Sequence, residues 1–232
     1  MNPPNLGQPS GAGPSPNLAH VIVSIDGPSG TGKSSVSRAL AERLGLPHLD
    51  TGAFYRAATV AVLEAGADPS DPGRCHDIVK ETQVDQGGGR TYLNGRDVTE
   101  EIRVETIDMN VSAVSSHPEV RAIMVDQQRQ WVKDRGGSGV VEGRDIGSVV
   151  FPDAEIKIYL DARPEVRAKR RAEERGGEAD EVADAIESRD HFDSTRRTSP
   201  LTVPEGAVTV DTSDLTFTEV VDRLTSLVTS RR

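Results

Sequence analysis

Residues 21–40 of the 232-residue chain read VIVSIDGPSGTGKSSVSRAL, and this stretch limits the possible folds more than any other. It begins with a short run of valine and isoleucine, which is typical of a buried β-strand because the run is too brief for a helix. Three glycines follow, and then apolar residues recur at helical spacing as far as Leu44. A strand, a glycine turn and a helix in this order indicate an α/β domain built on a parallel sheet.

The glycine turn matches the pattern G-x-x-x-x-G-K-[ST], with Gly27, Gly32, Lys33 and Ser34 at the fixed positions. Glycines let backbone N–H groups converge on an anion, and the N-terminus of the following helix adds positive potential. Lys33 would contact the β and γ phosphates of a nucleoside triphosphate, and the Ser34 hydroxyl would bind magnesium. The residues predicted to bind the donor nucleotide here are Gly27, Pro28, Ser29, Gly30, Thr31, Gly32, Lys33, Ser34 and Ser35.

Composition argues against several other classes of function. The formal net charge is −10 and 3% of residues are aromatic, so neither phosphate neutralisation nor base stacking favours binding to nucleic acid. The charge also disfavours an anionic membrane surface, and no apolar run approaches the length of a membrane span. A single cysteine, Cys75, cannot form an internal disulfide, and the first residues lack a signal-peptide pattern. We therefore predict a cytoplasmic protein with no nucleic-acid or membrane partner.

Residues 1–19 contain five prolines and few large apolar groups, so we predict a disordered tail there. Residues 20–232 alternate between strand-like and helix-like patterns, which predicts a P-loop, doubly wound α/β fold with helices on both faces of a parallel five-stranded sheet. The predicted strands are HVIVSID, PHLD, GVVEG at 139–143, EIKIYLD at 155–161 and AVTVD at 207–211. Ligands are expected at the carboxyl ends of these strands.

Three segments have a distinct pattern. Residues 84–102 contain several glycines and the turn signal Asn94-Gly95, which predict a small β insertion. Residues 163–200 are helical in pattern, carry eight arginines and are interrupted by two glycines, Gly176 and Gly177, which is typical of a lid. The chain closes on an amphipathic helix, with capping-box spacing between Thr216 and Glu219. Its predicted apolar face comprises Phe217, Val220, Val221, Leu224, Leu227 and Val228.

Arginines at the strand ends and in the charged segment predict a second phosphate site. If the acceptor were a nucleoside monophosphate, both reacting groups would be anions, and catalysis would depend on cancelling their repulsion. Asp145 would instead accept hydrogen bonds from an amino group or a ribose hydroxyl. The candidate arginines are Arg56, Arg144, Arg189, Arg196 and Arg197. Glu142, at a strand end, has two open interpretations: it orients magnesium through water, or it is structural.

From about residue 20 to its C-terminus the chain resembles the bacterial cytidylate kinases, a branch of the P-loop nucleoside monophosphate kinases. The most specific matching pieces are IDGPSGTGKSS, LDTGAFYRA, EGRDIGSVVFPDA and RDHFDSTRRTSPL. The resemblance implies a monomeric enzyme that uses ATP and magnesium to convert CMP or dCMP into CDP or dCDP. It also implies a monophosphate-binding insertion region at about 67–135 and a lid at about 163–200.

The resemblance further implies roles for individual residues. The acceptor phosphate would contact Thr51, Arg56 and Arg144. Cytosine would contact Ser112, Arg121 and Asp145, and a carboxylate such as Asp145 accepts from the cytosine amino group but repels the uracil carbonyl. The ribose would contact Arg189 and Asp193, with Arg196 near the bound monophosphate. Adenine and the donor phosphates would contact Arg167 and Arg171, with Arg170 as a neighbouring candidate. The residues implied in catalysis are Lys33, Arg144 and Arg171.

Two alternatives remain open from the sequence. One is a P-loop kinase for another small acceptor, such as adenylate or shikimate. The other is a nucleotide-dependent binding switch with negligible chemistry, which the paired arginine sites disfavour. A GTPase is also disfavoured, because no N-K-x-D guanine-reading tetrapeptide occurs in the sequence.

Overall fold

The computed structural model describes residues 20–175, 179–196 and 198–231. The predicted tail at 1–19, the glycines Gly176 and Gly177, and Arg197 lie outside the described residues. The chain divides into two compact units. The smaller unit is Asp50–Trp131, and the larger unit combines residues 20–49 with residues 132–231.

The elements of the described residues follow the predicted alternation. The strands are β1 (Ile22–Asp26), β2 (His48–Asp50), β3 (Val84–Gly87), β4 (Arg90–Leu93), β5 (Arg96–Asp97), β6 (Gly139–Gly143), β7 (Ile156–Asp161) and β8 (Val208–Asp211). The α-helices are α1 (Lys33–Leu44), α2 (Thr51–Glu64), α3 (Pro72–Lys80), α4 (Glu105–Ser116), α5 (Pro118–Asp134), α6 (Pro164–Arg175), α7 (Ala179–Thr195) and α8 (Phe217–Ser230). A 3-10 helix occupies Glu101–Arg103 and a π-helical turn occupies Ile146–Val150. No helix within these ranges is long and apolar enough to cross a membrane.

The main sheet has five strands in the order β2-β6-β1-β7-β8, which confirms the predicted doubly wound α/β fold. Strand β1 pairs in parallel with β6 and with β7, and β7 pairs in parallel with β8. In this register Asp26, at the end of β1, lies opposite Gly143, at the end of β6. The glycine loop after β1 and the Arg144 segment after β6 therefore leave the sheet at the same edge.

The core of the larger unit lies between the sheet and helices α1 and α8. Ile25, Leu40, Ile158 and Leu224 have no exposed surface there. Helix α8 has the predicted capping box: the Thr216 side chain accepts from the backbone of Glu219, and the Glu219 side chain accepts from the backbone of Thr216. On the predicted apolar face, Phe217 differs from the buried members, because this first residue of the helix lies beyond the core and is 53% exposed.

The smaller unit contains a three-stranded antiparallel sheet in the order β3-β4-β5, at the position of the predicted β insertion. Asn94 and Gly95 have φ angles of 51° and 82° in the turn between β4 and β5. Such left-handed pairs favour tight hairpins, because their twist matches that of the strands. Helix α2 starts beside this sheet, and the Asp50 carboxylate caps it by accepting from Ala53 N at 3.1 Å.

Candidate active site

The loop between β1 and α1 has the backbone geometry that its glycines predict. Gly30 and Gly32 have φ angles of 78° and 81°, a left-handed conformation that favours glycine. A Cβ atom at Gly27 would lie 2.1 Å from the Leu160 carbonyl oxygen, and one at Gly30 would lie 2.7 Å from the Arg167 carbonyl oxygen. Gly32 is the N-cap of α1, so the N-terminal N–H groups of that helix face the loop. The loop is therefore built to present main-chain donors to an anion.

Lys33, the first residue of α1, is a buried cation with 8% exposure. Its Nζ donates to the Pro28 carbonyl oxygen at 2.5 Å and to Thr31 Oγ1 at 3.3 Å, and both acceptors are uncharged. Burial, followed by the positive charge of Arg144, holds the pKa of Lys33 well below its usual range. A bound polyphosphate would supply the opposite charge, so the loop holds its lysine in a setting that favours an incoming anion.

Ser34 lies against a buried carboxylate. Its hydroxyl donates to Glu142 Oε2 at 2.9 Å, and Glu142 Oε1 lies 3.0 Å from His48 Nε2. Glu142 is on β6 and is 3% exposed. These three side chains run from β2 across β6 to the first turn of α1. Of the two interpretations of Glu142, its contact with Ser34 favours a role beside the predicted magnesium ligand.

Arg144, immediately after β6, is anchored to the glycine loop. Its Nη1 donates to the Gly27 carbonyl oxygen at 2.6 Å, and its Nε donates to Asp193 Oδ2 at 2.9 Å. Asp193, on α7, also pairs with Arg196, whose Nη2 lies 3.5 Å from Oδ1. Three residues that the sequence assigns to the acceptor nucleotide therefore form one cluster beside the loop.

Asp26, the last residue of β1, has no exposed surface and accepts two main-chain hydrogen bonds. Ile146 N donates to its Oδ1 at 2.7 Å, and Gly147 N donates to its Oδ2 at 2.8 Å. These N–H groups open the π-helical turn that follows Asp145. Burial raises the pKa of Asp26 to about 6; the two N–H donors and Lys33 oppose that rise, and the charge of Asp145 adds to it.

Helices α6 and α7 reach the glycine loop through Arg167 and Asp190. Arg167 Nη1 donates to the Ser29 carbonyl oxygen at 3.0 Å and also pairs with the Asp190 carboxylate. The backbone N–H of Ser29 donates to Asp190 Oδ1 at 2.9 Å. Arg170 instead donates to Thr212, to Oγ1 at 2.9 Å and to the carbonyl oxygen at 2.6 Å. Arg167 thus contacts the glycine loop directly.

In the smaller unit, Arg56 on α2 is held by two groups. Its Nη1 donates to the Ile102 carbonyl oxygen at 3.0 Å, and its Nη2 pairs with the Asp108 carboxylate of α4. The two charged side chains are 13% and 18% exposed, so the pair is largely shielded from water. Arg56 is therefore fixed in position by a neighbouring negative charge.

Arg121, on α5, is also buried, with 2% exposure. Its Nη1 donates to the Ser115 carbonyl oxygen at 3.2 Å, and its guanidinium lies 5.0 Å from the centroid of the Tyr55 ring. Thr51, the first residue of α2, is buried, and Ser112 of α4 is half-buried. The predicted base-contacting and phosphate-contacting residues of the smaller unit thus come from α2, α4 and α5.

Comparison with known proteins decides the family. A family model described as Cytidylate kinase matches residues 23–230. The chain belongs to the cytidylate kinase family. The cytidylate kinase of Mycobacterium leprae strain Br4923 is 50% identical over 219 residues, which cover 92% of this chain and 98% of that protein. The cytidylate kinase of Caldanaerobacter subterraneus subsp. tengcongensis is 47% identical over 209 residues, covering 88% of this chain and 92% of that protein. A solved shikimate kinase from Acinetobacter baumannii, in complex with shikimate, aligns over 94% of this chain and 99% of that chain with 17% identity and a TM-score of 0.46.

The larger unit brings the glycine loop together with several residues predicted from separate parts of the sequence: Arg144, Arg167, Asp193 and Arg196. Asp145 is buried beside them, next to Asp26. Arg171 and Arg189 lie on α6 and α7 and are partly exposed. The smaller unit holds Thr51, Arg56, Ser112 and Arg121. The substrate roles of all these residues remain predictions.

The sequence did not predict three aspartates of the candidate site. Asp26 could have been found from its position in the sequence, since it directly precedes the first glycine of the loop. Asp190 is harder to identify, although it lies inside the matching piece RDHFDSTRRTSPL. Nothing in the sequence around Asp108 indicates its role, because its partner Arg56 is 52 positions away in the chain.

Proposed function

We propose that this member of the cytidylate kinase family transfers the γ-phosphoryl group of ATP to CMP or dCMP, giving ADP and CDP or dCDP. The observation that carries the proposal is the match to a cytidylate kinase at 50% identity over 92% of the chain. The charges that such a transfer needs are available in the glycine loop, with its buried Lys33, and in the Arg144 cluster beside it.

The donor end of the reaction is assigned to the larger unit. Main-chain N–H groups of the loop and the Lys33 ammonium would bind the β and γ phosphates of ATP. Arg167 would support the loop from the outside, since it binds the Ser29 carbonyl oxygen at 3.0 Å. Arg171 would approach the transferring group from α6, where it is partly exposed. Closure of the lid would exclude water, which otherwise competes as a phosphoryl acceptor.

The residues around Ser34 fit a magnesium ion. Hydroxyl and carboxylate oxygens are the hard donors that this ion prefers, and Ser34 Oγ lies 2.9 Å from Glu142 Oε2. Because the Ser34 hydroxyl donates its hydrogen bond to Glu142, the lone pairs of its oxygen remain available for the metal. Within the described residues no group of three or more His, Cys, Asp or Glu could hold a metal ion, so phosphate oxygens and water would complete its coordination. When bound, magnesium neutralises negative charge on the donor phosphates.

The acceptor phosphate is assigned to Thr51, Arg56 and Arg144, the residues that the resemblance implies. A CMP phosphate oxygen is already an anionic nucleophile, so a general base is less important than charge cancellation and alignment. Both arginines present a planar guanidinium in a fixed orientation, because each is tied to a carboxylate and a main-chain carbonyl. A guanidinium held in this way is suited to bidentate phosphate contacts.

The base and ribose contacts are assigned to a second set of polar side chains. Asp145 is buried, with 4% exposure, so hydrogen bonds to its carboxylate would form in a setting with little competing water. We assign it to the cytosine amino group, because a carboxylate only accepts hydrogen bonds and uracil presents a carbonyl at that position. Ser112 and Arg121 are assigned to the remaining cytosine edge. The ribose and the sugar-proximal phosphate are assigned to Arg189, Asp193 and Arg196.

A coupled assay of ADP release tests the function directly. The purified chain is supplied with ATP and magnesium and then, in turn, with CMP, dCMP, UMP, AMP and shikimate. We expect CMP and dCMP to give the highest kcat/KM. Faster turnover of AMP or shikimate would support the corresponding rival kinase, and ATP binding without acceptor-dependent ADP release would support a binding switch. Either result contradicts the proposal.

A monomeric state and a cytoplasmic location are proposed alongside the activity. The location depends on the single cysteine, Cys75, because a chain without disulfides is typical of a reducing compartment. The monomer follows from the resemblance to the family. Sedimentation equilibrium of the purified chain checks the monomeric state, and a mass of twice 24.9 kDa would contradict it.

A further inference from the structure

Asp26 joins the start of the donor loop to the segment that carries the proposed acceptor contacts. Its two carboxylate oxygens accept from Ile146 N and Gly147 N at 2.7 and 2.8 Å. The next residue, Gly27, accepts from Arg144 Nη1 at 2.6 Å through its carbonyl oxygen. Three hydrogen bonds from four consecutive residues, 144–147, therefore end on two consecutive residues at the end of β1.

The turn held by Asp26 has no cap of its own. Asp145, the residue before the π-helical turn, makes no side-chain capping bond. N-terminal N–H groups of a helical segment need acceptors, and here the acceptors come from a different strand. On the other side of Asp145, its carbonyl oxygen accepts from Val149 N at 2.9 Å and from Val150 N at 3.1 Å. The backbone of Asp145 is thus fixed from both directions.

Packing at Gly147 leaves the turn no space to shift towards β1. A Cβ atom at this position would lie 2.8 Å from Ser24 Oγ and 3.0 Å from Pro204 Cγ. The turn can only approach Asp26 closely because residue 147 is glycine. Asp26 and Gly147 therefore act together to set the distance between the Arg144 segment and the donor loop.

We propose that Asp26 is a positioning residue for acceptor selection: its carboxylate holds Arg144 and Asp145 in a fixed place relative to the donor loop, so that phosphate alignment and base discrimination depend on it. Asp26 itself is fully buried, so we expect it to act through these neighbours and not by contact with a nucleotide. The proposal rests on the proposed function, because it assigns Asp26 to the orientation of residues that would read CMP.

The test is the substitution Asp26→Asn, which preserves size. The carboxamide keeps one acceptor oxygen but turns an N–H2 group towards the second backbone N–H, so one of the two hydrogen bonds is lost. We expect the KM for CMP to rise about tenfold and the CMP-to-UMP ratio of kcat/KM to fall about tenfold. The dissociation constant of a non-hydrolysable ATP analogue, measured by calorimetry without acceptor, should change less than about twofold, since the loop N–H groups and Lys33 remain.

Ser37→Ala is the control. Ser37 lies on α1, is fully buried, and its Oγ has no hydrogen-bond partner in the described part of the chain. This variant should keep the native KM for CMP and the native CMP-to-UMP ratio. If Asp26→Asn does not fold, Gly147→Ala pushes the same turn away from β1, because its Cβ would meet Ser24 Oγ at 2.8 Å, and should give the same kinetic change.

A merely structural role for Asp26 predicts a different result. Loss of folded enzyme lowers kcat with CMP and with UMP equally and leaves both KM values and their ratio unchanged. That outcome overturns the proposal. A second test uses the Asp145→Ala background, where Asp26→Asn should no longer change the CMP-to-UMP ratio, because the carboxylate that it positions is gone. A further loss of the ratio in that background would also overturn it.

Failure of this inference is distinguishable from failure of the proposed function. If the native chain shows no CMP-dependent ADP release, the proposed function fails. If the native chain prefers CMP over UMP and Asp26→Asn retains both that preference and the native KM, the proposed function stands and the role of Asp26 fails.

Discussion

Lys33 in the glycine loop and Arg56 in the smaller unit are both shielded cations with a proposed role at phosphate, yet their surroundings differ. The Lys33 ammonium donates only to a carbonyl oxygen and a hydroxyl, and among the described residues it forms no ion pair. Arg56 is paired with the Asp108 carboxylate. Arg144 resembles Arg56 in this respect, since Asp193 neutralises it at 2.9 Å.

The two kinds of cation differ in whether a carboxylate of the chain already balances their charge. In the loop, buried ionisable groups lack an opposite charge at hydrogen-bond distance, so the pKa of Lys33 falls and the pKa of Asp26 rises. At the arginines, an aspartate balances the charge before any substrate is present. The loop therefore favours an incoming anion through its unbalanced charge, whereas the arginines favour it through orientation. Activity and stability should separate in the loop and change together at the arginines.

The largest effect is expected for Lys33→Met. Loss of the cation at the β and γ phosphates should lower kcat/KM with ATP and CMP by about 10³-fold or more. The free energy of unfolding should stay constant or rise, because a buried charge with neutral partners is removed. Steady-state kinetics and urea unfolding measure the two quantities, with Lys80→Met, an exposed lysine at the end of α3, as the control. Near-native activity in Lys33→Met would remove Lys33 from the catalytic site.

The second effect is a pH dependence due to Asp26. Its pKa is raised from the ordinary 3.8 to about 6, so the folded chain binds more protons at this group than the unfolded chain does between those values. Stability from this group is therefore greatest below pH 4 and is lost as the pH rises through 6, by about 3 kcal/mol in all. Asp26→Asn lacks this dependence. Its unfolding free energy relative to the native chain should increase by about 2 kcal/mol between pH 4 and pH 7, which is most of the full effect. Parallel stability curves would show that Asp26 titrates normally.

These two regions also differ in how far the sequence predicts them. The loop is contiguous, and its chemistry follows from backbone freedom and helix geometry, so Gly27 to Ser34 predicted both the local fold and the ligand class. The five strands of the main sheet followed from the alternation of patterns, but their order in the sheet did not. Ion pairs were not predictable in this way, because Arg56 and Asp108 are 52 positions apart and Arg144 and Asp193 are 49 apart. The resemblance named the arginines but did not reveal which aspartates hold them.

The third effect tests the paired arginine. Arg56→Ala should lower the unfolding free energy by about 2 kcal/mol, because the partly buried Asp108 loses its counter-charge. Asp108→Ala should cost a similar amount, and the double variant should cost little more than either single one, giving a coupling energy of about 1–2 kcal/mol. Urea unfolding of the native chain, the two single variants and the double variant measures this coupling energy. If the two losses of unfolding free energy were additive, the pair would contribute no net coupling. Arg56 would then not differ from Lys33 in having its charge stabilised by a partner.

The smallest effect concerns base selection. Phosphate contacts are identical for CMP and UMP, so substitutions at Lys33, Arg56 or Arg144 should lower kcat/KM for both acceptors in proportion. Asp145 should be the exception, because a carboxylate in the proposed role accepts from the cytosine amino group and repels the uracil carbonyl. Asp145→Ala should lower the CMP-to-UMP ratio of kcat/KM about tenfold, mostly through weaker use of CMP. Asp145→Asn should lower the ratio further by improving the use of UMP, since a carboxamide donates to a carbonyl. An unchanged ratio in both variants would mean that discrimination comes from elsewhere, with Ser112 and Arg121 as the next residues to substitute.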